Sequence, residues 1–183
     1  FVAGDSYIPE GRKYPDGGFH NNGDGPGGDF DMAGALAHSV NTWFVQLEDK
    51  IGVRATAETA YKMGITSLPL SGPNAITEKD ASLTLGTYET SPLQVANAYA
   101  TIAAHGVACQ PIAITKVLNA QGEQIAAPKS ECRQVIRAST ADSLANMMQG
   151  VIDSPDEGRT GKAASIGRPA AGKTGTTDST AAV

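Results

Sequence analysis

Apolar residues recur at helical spacing in several stretches of the chain. The clearest stretch begins after Asp31, a typical helix-capping residue, and ends at Gly52. Within it, apolar positions three or four apart form one face: Leu36, Val40, Phe44, Leu47 and Ile51. This pattern predicts an amphipathic helical segment, in which a break near Ser39 would leave the spacing unchanged.

Three further helices are predicted: over 54–63, from Pro92 to Gly106, and from Ser139 to just before Pro155. The predicted buried face of the helix after Pro92 consists of Leu93, Ala96, Ala100 and Ala103. The predicted buried face of the last helix consists of Leu144, Met147, Met148 and Val151. We interpret its two methionines as core packing.

A β-hairpin is predicted between the last two helices. Its apolar strand positions are Ile112, Ile114, Val117 and Ile125, with a turn at 119–122 and a further short strand at 135–136. Cys109 and Cys132 flank this hairpin, which would bring them together. A disulfide, which implies an oxidising compartment, and two unpaired thiols are both open interpretations.

Residues 1–31 show neither helical nor strand periodicity and are rich in Gly, Asp, Asn and Pro. We expect a loop-rich lead-in pinned by its aromatic residues, Tyr7, Tyr14, Phe19 and Phe30. The acidic and amide residues of 21–25 lack the spacing and closing glutamate of a calcium loop. No repeat or second domain boundary is evident, so residues 1–183 are predicted to form one partial domain.

Composition narrows the function classes. The 183 residues carry a net charge of -5, which does not indicate a nucleic-acid partner. No apolar run approaches the ~20 residues of a membrane span. The three histidines are scattered and the cysteines lack metal-site spacing, so no metal and no cofactor are expected. The chain begins and ends abruptly, and we expect it to be a piece of a longer protein.

A motif of small and hydroxylated residues surrounds Lys173 near the end of the chain. Its β-branched residues, Thr174, Thr176 and Thr177, predict a strand, and Gly172 and Gly175 leave its edge open to an extended peptide. Residues 167–174 also match the phosphate-binding P-loop formally. That motif requires a preceding apolar strand and a following helix, and neither is predicted here.

Ser39 and Asn41 form a second motif on or beside the first helix. A hydroxyl can relay protons, and an amide can both donate to and accept from a peptide. Ser-x-Asn alone carries no information, but Ser-x-Asn followed far downstream by Lys-Thr-Gly resembles the penicillin-recognising serine acyltransferases. The resemblance extends to three longer stretches, 35–44 (ALAHSVNTWF), 85–100 (LGTYETSPLQVANAYA) and 158–161 (GRTG). These stretches are most similar to the bifunctional, class A type of penicillin-binding protein.

This resemblance implies an α/β fold of the α+β type, an antiparallel sheet flanked by helices with a helical lobe, incomplete in this chain. It implies a proton-relay hydroxyl at Ser39, a peptide-holding amide at Asn41 and the active-site cation at Lys173. It implies a carboxylate contact at Thr174, room for the substrate strand at Gly175 and an oxyanion-hole N–H at Thr176.

The nucleophile box of this family, Ser-x-x-Lys, is absent, because no serine here is followed by lysine three positions later. We therefore expect the nucleophile outside this chain and the fragment alone to be inactive. The implied reaction is D-Ala-D-Ala transpeptidation, with peptidoglycan stem peptides, β-lactams and the remainder of the protein as partners. The implied location is the extracytoplasmic face of a bacterial membrane. A serine β-lactamase, a non-catalytic module that binds β-lactams or muropeptides, and a P-loop nucleotide binder are the alternatives.

Overall fold

A computed structural model describes residues 1–14, 17–23, 25 and 27–176. Its helices within these ranges are α1 (Met32–Ala37), α2 (Asn41–Ile51), α3 (Val53–Lys62), α4 (Pro92–Ala103) and α5 (Ala138–Asp153). Its strands are β1 (Val2–Ala3), β2 (Ser6–Tyr7), β3 (Phe19–His20), β4 (Gly28–Asp29), β5 (Val107–Cys109), β6 (Val117–Leu118), β7 (Gln124–Ala126) and β8 (Cys132–Gln134). Two 3-10 turns cover Leu83–Leu85 and Lys162–Ala164.

The strands of the described residues pair two by two, all antiparallel. The pairs are β1 with β4, β2 with β3, β5 with β8, and β6 with β7. This mixture of helices and antiparallel strands agrees with the predicted α+β class. The predicted loop-rich lead-in contains four of these short strands, which its sequence did not reveal because two-residue strands have no period.

The chain folds into two compact units. One consists of 1–56, 77–87 and the described part of 143–183, and the other of 57–76 and 88–142. Compact units are not by themselves independently folding domains. The single domain over 1–183 therefore stays a prediction.

The core of the first unit forms around Trp43 on α2. Ala3, Ala35 and Val40 are buried with it, and its indole N–H donates to the carbonyl of Phe30 at 2.9 Å. The ring of Phe1 lies 5.2 Å from the indole. Of the four predicted aromatic residues, Phe30 packs against this core and the Tyr7 hydroxyl donates to Asp49 on α2 at 2.8 Å, so these two pin the lead-in as predicted, whereas the contact of Phe1 was not predicted.

The helix ends follow the predicted capping chemistry. Asp31 caps α1, since its carboxylate accepts from the N–H of Gly34 at 2.7 Å. Gly52, with φ of 93°, ends α2, and Ser91 caps α4 ahead of its first-turn proline. The first turn of α3 is capped by a residue far away in sequence, because the N–H groups of Val53 and Arg54 donate to the carboxylate of Glu78.

The predicted buried face of α4 is wrong. Its four members, Leu93, Ala96, Ala100 and Ala103, are all exposed, Leu93 by 63%. The covered side instead carries Gln94, which accepts from the N–H of Ser67, and Thr101, which donates to the carbonyl of Met63. These polar contacts lie on the covered side of an alanine-rich helix, and an apolar spacing cannot reveal them.

The hairpin is shorter than predicted. Its turn is as expected, because the Asn119 side chain accepts from the N–H groups of Gln121 and Glu123. Ile112 and Ile114 lie outside the strands and are exposed, since Pro111 interrupts the chain before them. The strand predicted at 135–136 lies earlier, as β8, and pairs with β5, which was not predicted.

Cys109 and Cys132 lie directly opposite each other on β5 and β8, and a disulfide joins them. We expect no alkylation of either cysteine by iodoacetamide in the native, unreduced protein and two alkylated thiols after reduction and unfolding. Peptide mass spectrometry measures both states. Two alkylated thiols without reductant would contradict the pairing.

Candidate active site

Ser39 and Lys173, 134 residues apart in sequence, meet in the first unit. The Lys173 ammonium donates to Ser39 Oγ at 2.5 Å and to the carbonyl of Thr174 at 2.9 Å. Half-burial of Lys173 lowers its pKa, because desolvation disfavours the charged form. The two motifs singled out in the sequence therefore lie in one site.

Ser39 is placed by the junction between α1 and α2. The Val40 N–H donates to the carbonyl of Ala35 and the Ser39 N–H to that of Leu36, which is the Schellman helix end. Its left-handed position is held by Ser39, with φ of 56°, where glycine is usual. The predicted single helical segment is thus two helices, and the break aims a hydroxyl at Lys173.

This backbone strain gives a stability prediction. Glycine adopts φ near 56° without penalty, whereas alanine keeps the strain and, like glycine, lacks the hydroxyl. We expect Ser39→Gly to be more stable than Ser39→Ala by about 1 kcal/mol. Urea unfolding of the two variants measures this difference, and a less stable Ser39→Gly would contradict the strain.

Lys173 is placed by contacts with the end of α5. The N–H of Gly172 donates to the carbonyl of Met148 at 3.1 Å, and that of Ala170 to Asp153 Oδ2 at 2.7 Å. As predicted, Met148 and Val151 of α5 are buried. The Lys173 segment forms no ladder with any described strand, so the predicted strand is wrong over 172–176, because β-propensity does not supply a pairing partner. Thr177 lies outside the described residues.

The loop over 154–161 docks on the C-terminal end of α1. The backbone N–H and the hydroxyl of Thr160 both approach the carbonyl of Ala37, at 2.9 and 3.1 Å. Thr160 Oγ1 also lies 2.6 Å from Thr174 Oγ1. Thr160 therefore touches both the residue two before Ser39 and the residue after Lys173.

A His–Asp pair reinforces this docking. His38 Nε2 lies 2.7 Å from Asp156 Oδ2. The pKa of Asp156 is lowered, first by the N–H of Gly158 and then by the contact with His38. A Cβ at Gly158 would lie 2.4 Å from the imidazole of His38, so a larger residue there would require the His38 ring to move. The sequence placed 158–161 of this loop within the family resemblance, but it did not predict the contacts with α1, because these depend on long-range packing.

The remaining predicted site residues are less constrained. Asn41 opens α2, and its amide donates to the carbonyl of His20 at 3.0 Å. Gly175 and Thr176 are exposed, and a Cβ at Gly175 would meet open space. Thr174 is half-buried beside Thr160.

Other chemistries find little support among the described residues. No group of three His, Cys, Asp or Glu side chains there could hold a metal ion. The residues ahead of the formal P-loop match form a 3-10 turn and irregular backbone rather than a strand. None of the helices in the described ranges is long and apolar enough to cross a bilayer.

Comparison with known families decides the relationship. The family model for the penicillin-binding protein transpeptidase domain matches residues 5–182. The chain belongs to this family. Among penicillin-binding protein relatives, it is 36% identical to penicillin-binding protein 1A of Aquifex aeolicus over 144 residues, 79% of this chain and 18% of that protein. It is 33% identical to penicillin-binding protein 1A of Clostridium botulinum strain Hall over 180 residues, 94% of this chain and 21% of that protein.

Solved penicillin-binding proteins share the fold. The Mycobacterium tuberculosis PonA1 protein in complex with penicillin V is 30% identical, with a TM-score of 0.63 over 71% of this chain and 37% of that one. The ceftriaxone acyl-enzyme complex of penicillin-binding protein A from M. tuberculosis is 23% identical, with a TM-score of 0.73 over 95% of this chain and 41% of that one. The chain thus spans about a fifth of the curated relatives' length.

Proposed function

We propose that the chain is part of a serine-type D,D-transpeptidase that cross-links peptidoglycan stem peptides through an acyl-enzyme. The nucleophilic serine lies outside this chain, in the remainder of the same protein. The observation that carries the proposal is the 2.5 Å contact between Lys173 and Ser39 in a member of the transpeptidase family.

In this reaction the serine oxygen bonds to the penultimate D-Ala carbonyl carbon and the bond to the terminal D-alanine breaks. The serine proton ends on the leaving amine, and Ser39 relays it. Because Ser39 Oγ accepts from Lys173, the Ser39 hydrogen is directed away from the ammonium. An amine of a second stem peptide then attacks the ester carbonyl, the bond to the serine oxygen breaks, and that oxygen takes up the proton that the amine loses.

Substrate contacts come from the two motifs. Asn41 holds the peptide of the substrate, and the Thr174 hydroxyl contacts its carboxylate. Gly175 leaves room for the substrate strand, which is consistent with the open space around its backbone. The backbone N–H of Thr176 supplies part of the oxyanion hole. This chemistry is complete without a cofactor.

The partners of the whole protein are stem peptides and β-lactams, and its location is the extracytoplasmic face of the bacterial membrane. The M. tuberculosis PonA1 protein, which is 30% identical to this chain, forms a complex with penicillin V, and this supports the β-lactam partner. The disulfide between Cys109 and Cys132 supports an oxidising compartment.

Stem-peptide cross-linking separates the enzyme from a binding module. We expect the full-length protein to be labelled by a fluorescent penicillin and to cross-link pentapeptide-bearing glycan strands, both of which an excess of unlabelled penicillin should block. Gel fluorescence and mass spectrometry of digested muropeptides measure the two activities. Labelling without cross-links under any condition would instead indicate a β-lactam or muropeptide-binding module.

A further inference from the structure

The hydroxyl groups of Thr160 and Thr174 form a short series of hydrogen bonds that begins at the carbonyl of Ala37, the last residue of α1. Thr160 Oγ1 is within hydrogen-bond distance of two acceptors, the carbonyl of Ala37 at 3.1 Å and Thr174 Oγ1 at 2.6 Å. A hydroxyl has one proton, so Thr160 can donate to only one of them. If it donates to Ala37, Thr174 must donate to Thr160.

Both proton arrangements keep the surrounding backbone satisfied. The carbonyl of Ala37 also accepts the backbone N–H of Thr160 at 2.9 Å, and this bond does not depend on the hydroxyl. Reversing the pair therefore leaves no buried carbonyl unpaired. The reversal turns the proton of Thr174 from an inward direction, toward Thr160, to an outward one.

We propose that Thr160 is a positioning residue that orients the Thr174 hydroxyl toward anionic substrates. Without ligand, Thr174 donates to Thr160 and Thr160 to Ala37. When a carboxylate binds, Thr174 donates to it and Thr160 donates to Thr174, which strengthens the outer hydrogen bond. This inference rests on the proposed function, because it deepens the assigned contact between Thr174 and the substrate carboxylate.

The geometry limits what else Thr160 could do. Its hydrogen bonds go to Ala37 and Thr174 and to neither Ser39 nor Lys173, so its hydroxyl acts on the acyl centre through Thr174 or through the docking of the loop. Docking also uses the N–H of Thr160 and the contact between His38 and Asp156, both of which remain when the hydroxyl is removed. Removal of the hydroxyl alone therefore isolates its effect on Thr174.

The test compares a penicillin that carries its free carboxylate with the methyl ester of the same penicillin. The ratio measured is the acylation rate constant of the free acid divided by that of the methyl ester. We expect Thr160→Val, in the full-length protein, to lower this ratio about fivefold, which corresponds to the loss of one hydrogen bond. Thr160→Ser keeps the hydroxyl and should retain the ratio. Thr56→Val is a matched control, because it also removes a threonine hydroxyl that donates to a backbone carbonyl, that of Gly52.

A second comparison keeps the proposal falsifiable if Thr160→Val alters folding. In a Thr174→Val background the ratio is already low, and Thr160→Ser or Thr160→Val should not change it further. An equal loss of acylation rate for the acid and the ester in Thr160→Val, or no loss for either, would overturn the positioning role of Thr160. Failure of the unmodified protein to react with either compound would refute the proposed function itself, and with it the positioning role of Thr160.

Discussion

Lys173→Ala is expected to slow acylation of the full-length protein by penicillin by a factor of about a hundred or more. The ammonium is half-buried and lies 2.5 Å from Ser39 Oγ. In the proposed mechanism its removal takes away both a charge near the acyl centre and the group that orients the relay hydroxyl. Stopped-flow or gel-based labelling with a fluorescent penicillin measures the second-order rate constant.

The neighbouring Lys162 provides the matched control for this prediction. It is exposed and pairs with the exposed Glu157 within the same unit. Surface pairs of this kind contribute little, so Lys162→Ala should change the rate constant less than about twofold. Equal rates for Lys173→Ala and the unmodified protein would exclude Lys173 from the chemistry.

Glu48→Gln is expected to stabilise the protein above neutral pH. Glu48 is 2% exposed on α2, and neither of its carboxylate oxygens has a hydrogen-bond partner among the described residues. Burial raises the pKa of Glu48 to about 7, and the Glu78 and Asp49 carboxylates add to this effect. The nearby backbone of Thr84, and then the guanidinium of Arg12, lower the pKa by less than burial raises it.

The sign of the pH dependence follows from this raised pKa. The unfolded chain releases the Glu48 proton near pH 4.5, whereas the folded chain holds it to about pH 7. The stability contributed by the neutral carboxyl is therefore complete below pH 4.5 and is lost as the pH rises through 7, by about 3 kcal/mol at most. Glutamine remains neutral, so Glu48→Gln should gain about 2 kcal/mol over the unmodified protein at pH 8 and little at pH 4.5.

Urea denaturation of the full-length protein measures this difference at the two pH values, with hydrogen exchange in peptides covering α2 as the probe of unfolding. Glu131→Gln is the control, since Glu131 is exposed and its replacement should change stability little at either pH. A loss of stability in Glu48→Gln at pH 8 would show that the charged carboxylate makes a needed contact, with Arg12 as the candidate partner.

Local chemistry allowed the helix ends to be predicted from the sequence. Asp31, Gly52 and Ser91–Pro92 act through side chains or backbone angles within a few residues, so their effects are visible in the sequence. The break at Ser39 was beyond such reasoning, because the three-residue interruption over 38–40 keeps apolar residues in phase and serine is not the residue expected at φ of 56°.

Long-range contacts set the limit of sequence reasoning for the site. Ser39 and Lys173 were paired through family resemblance, since no spacing rule relates residues 134 positions apart. The loop over 154–161 was part of the family resemblance at 158–161, but the contacts of Asp156, Gly158 and Thr160 were not predicted, because they depend on the position of α1. The apolar pattern of α4 failed for a related reason, since its covered side makes side-chain hydrogen bonds to the backbone of Ser67 and Met63, which an apolar spacing does not reveal.

The central claim is that Ser39 and Lys173 act as one unit, and a double-mutant cycle tests it directly. Acylation by penicillin is measured for Ser39→Ala, Lys173→Ala and the double variant of the full-length protein. Residues that act together give non-additive losses, so the double variant should react about as slowly as Lys173→Ala alone. A double variant whose loss equals the product of the two single losses would show that the two side chains act independently and would contradict the account.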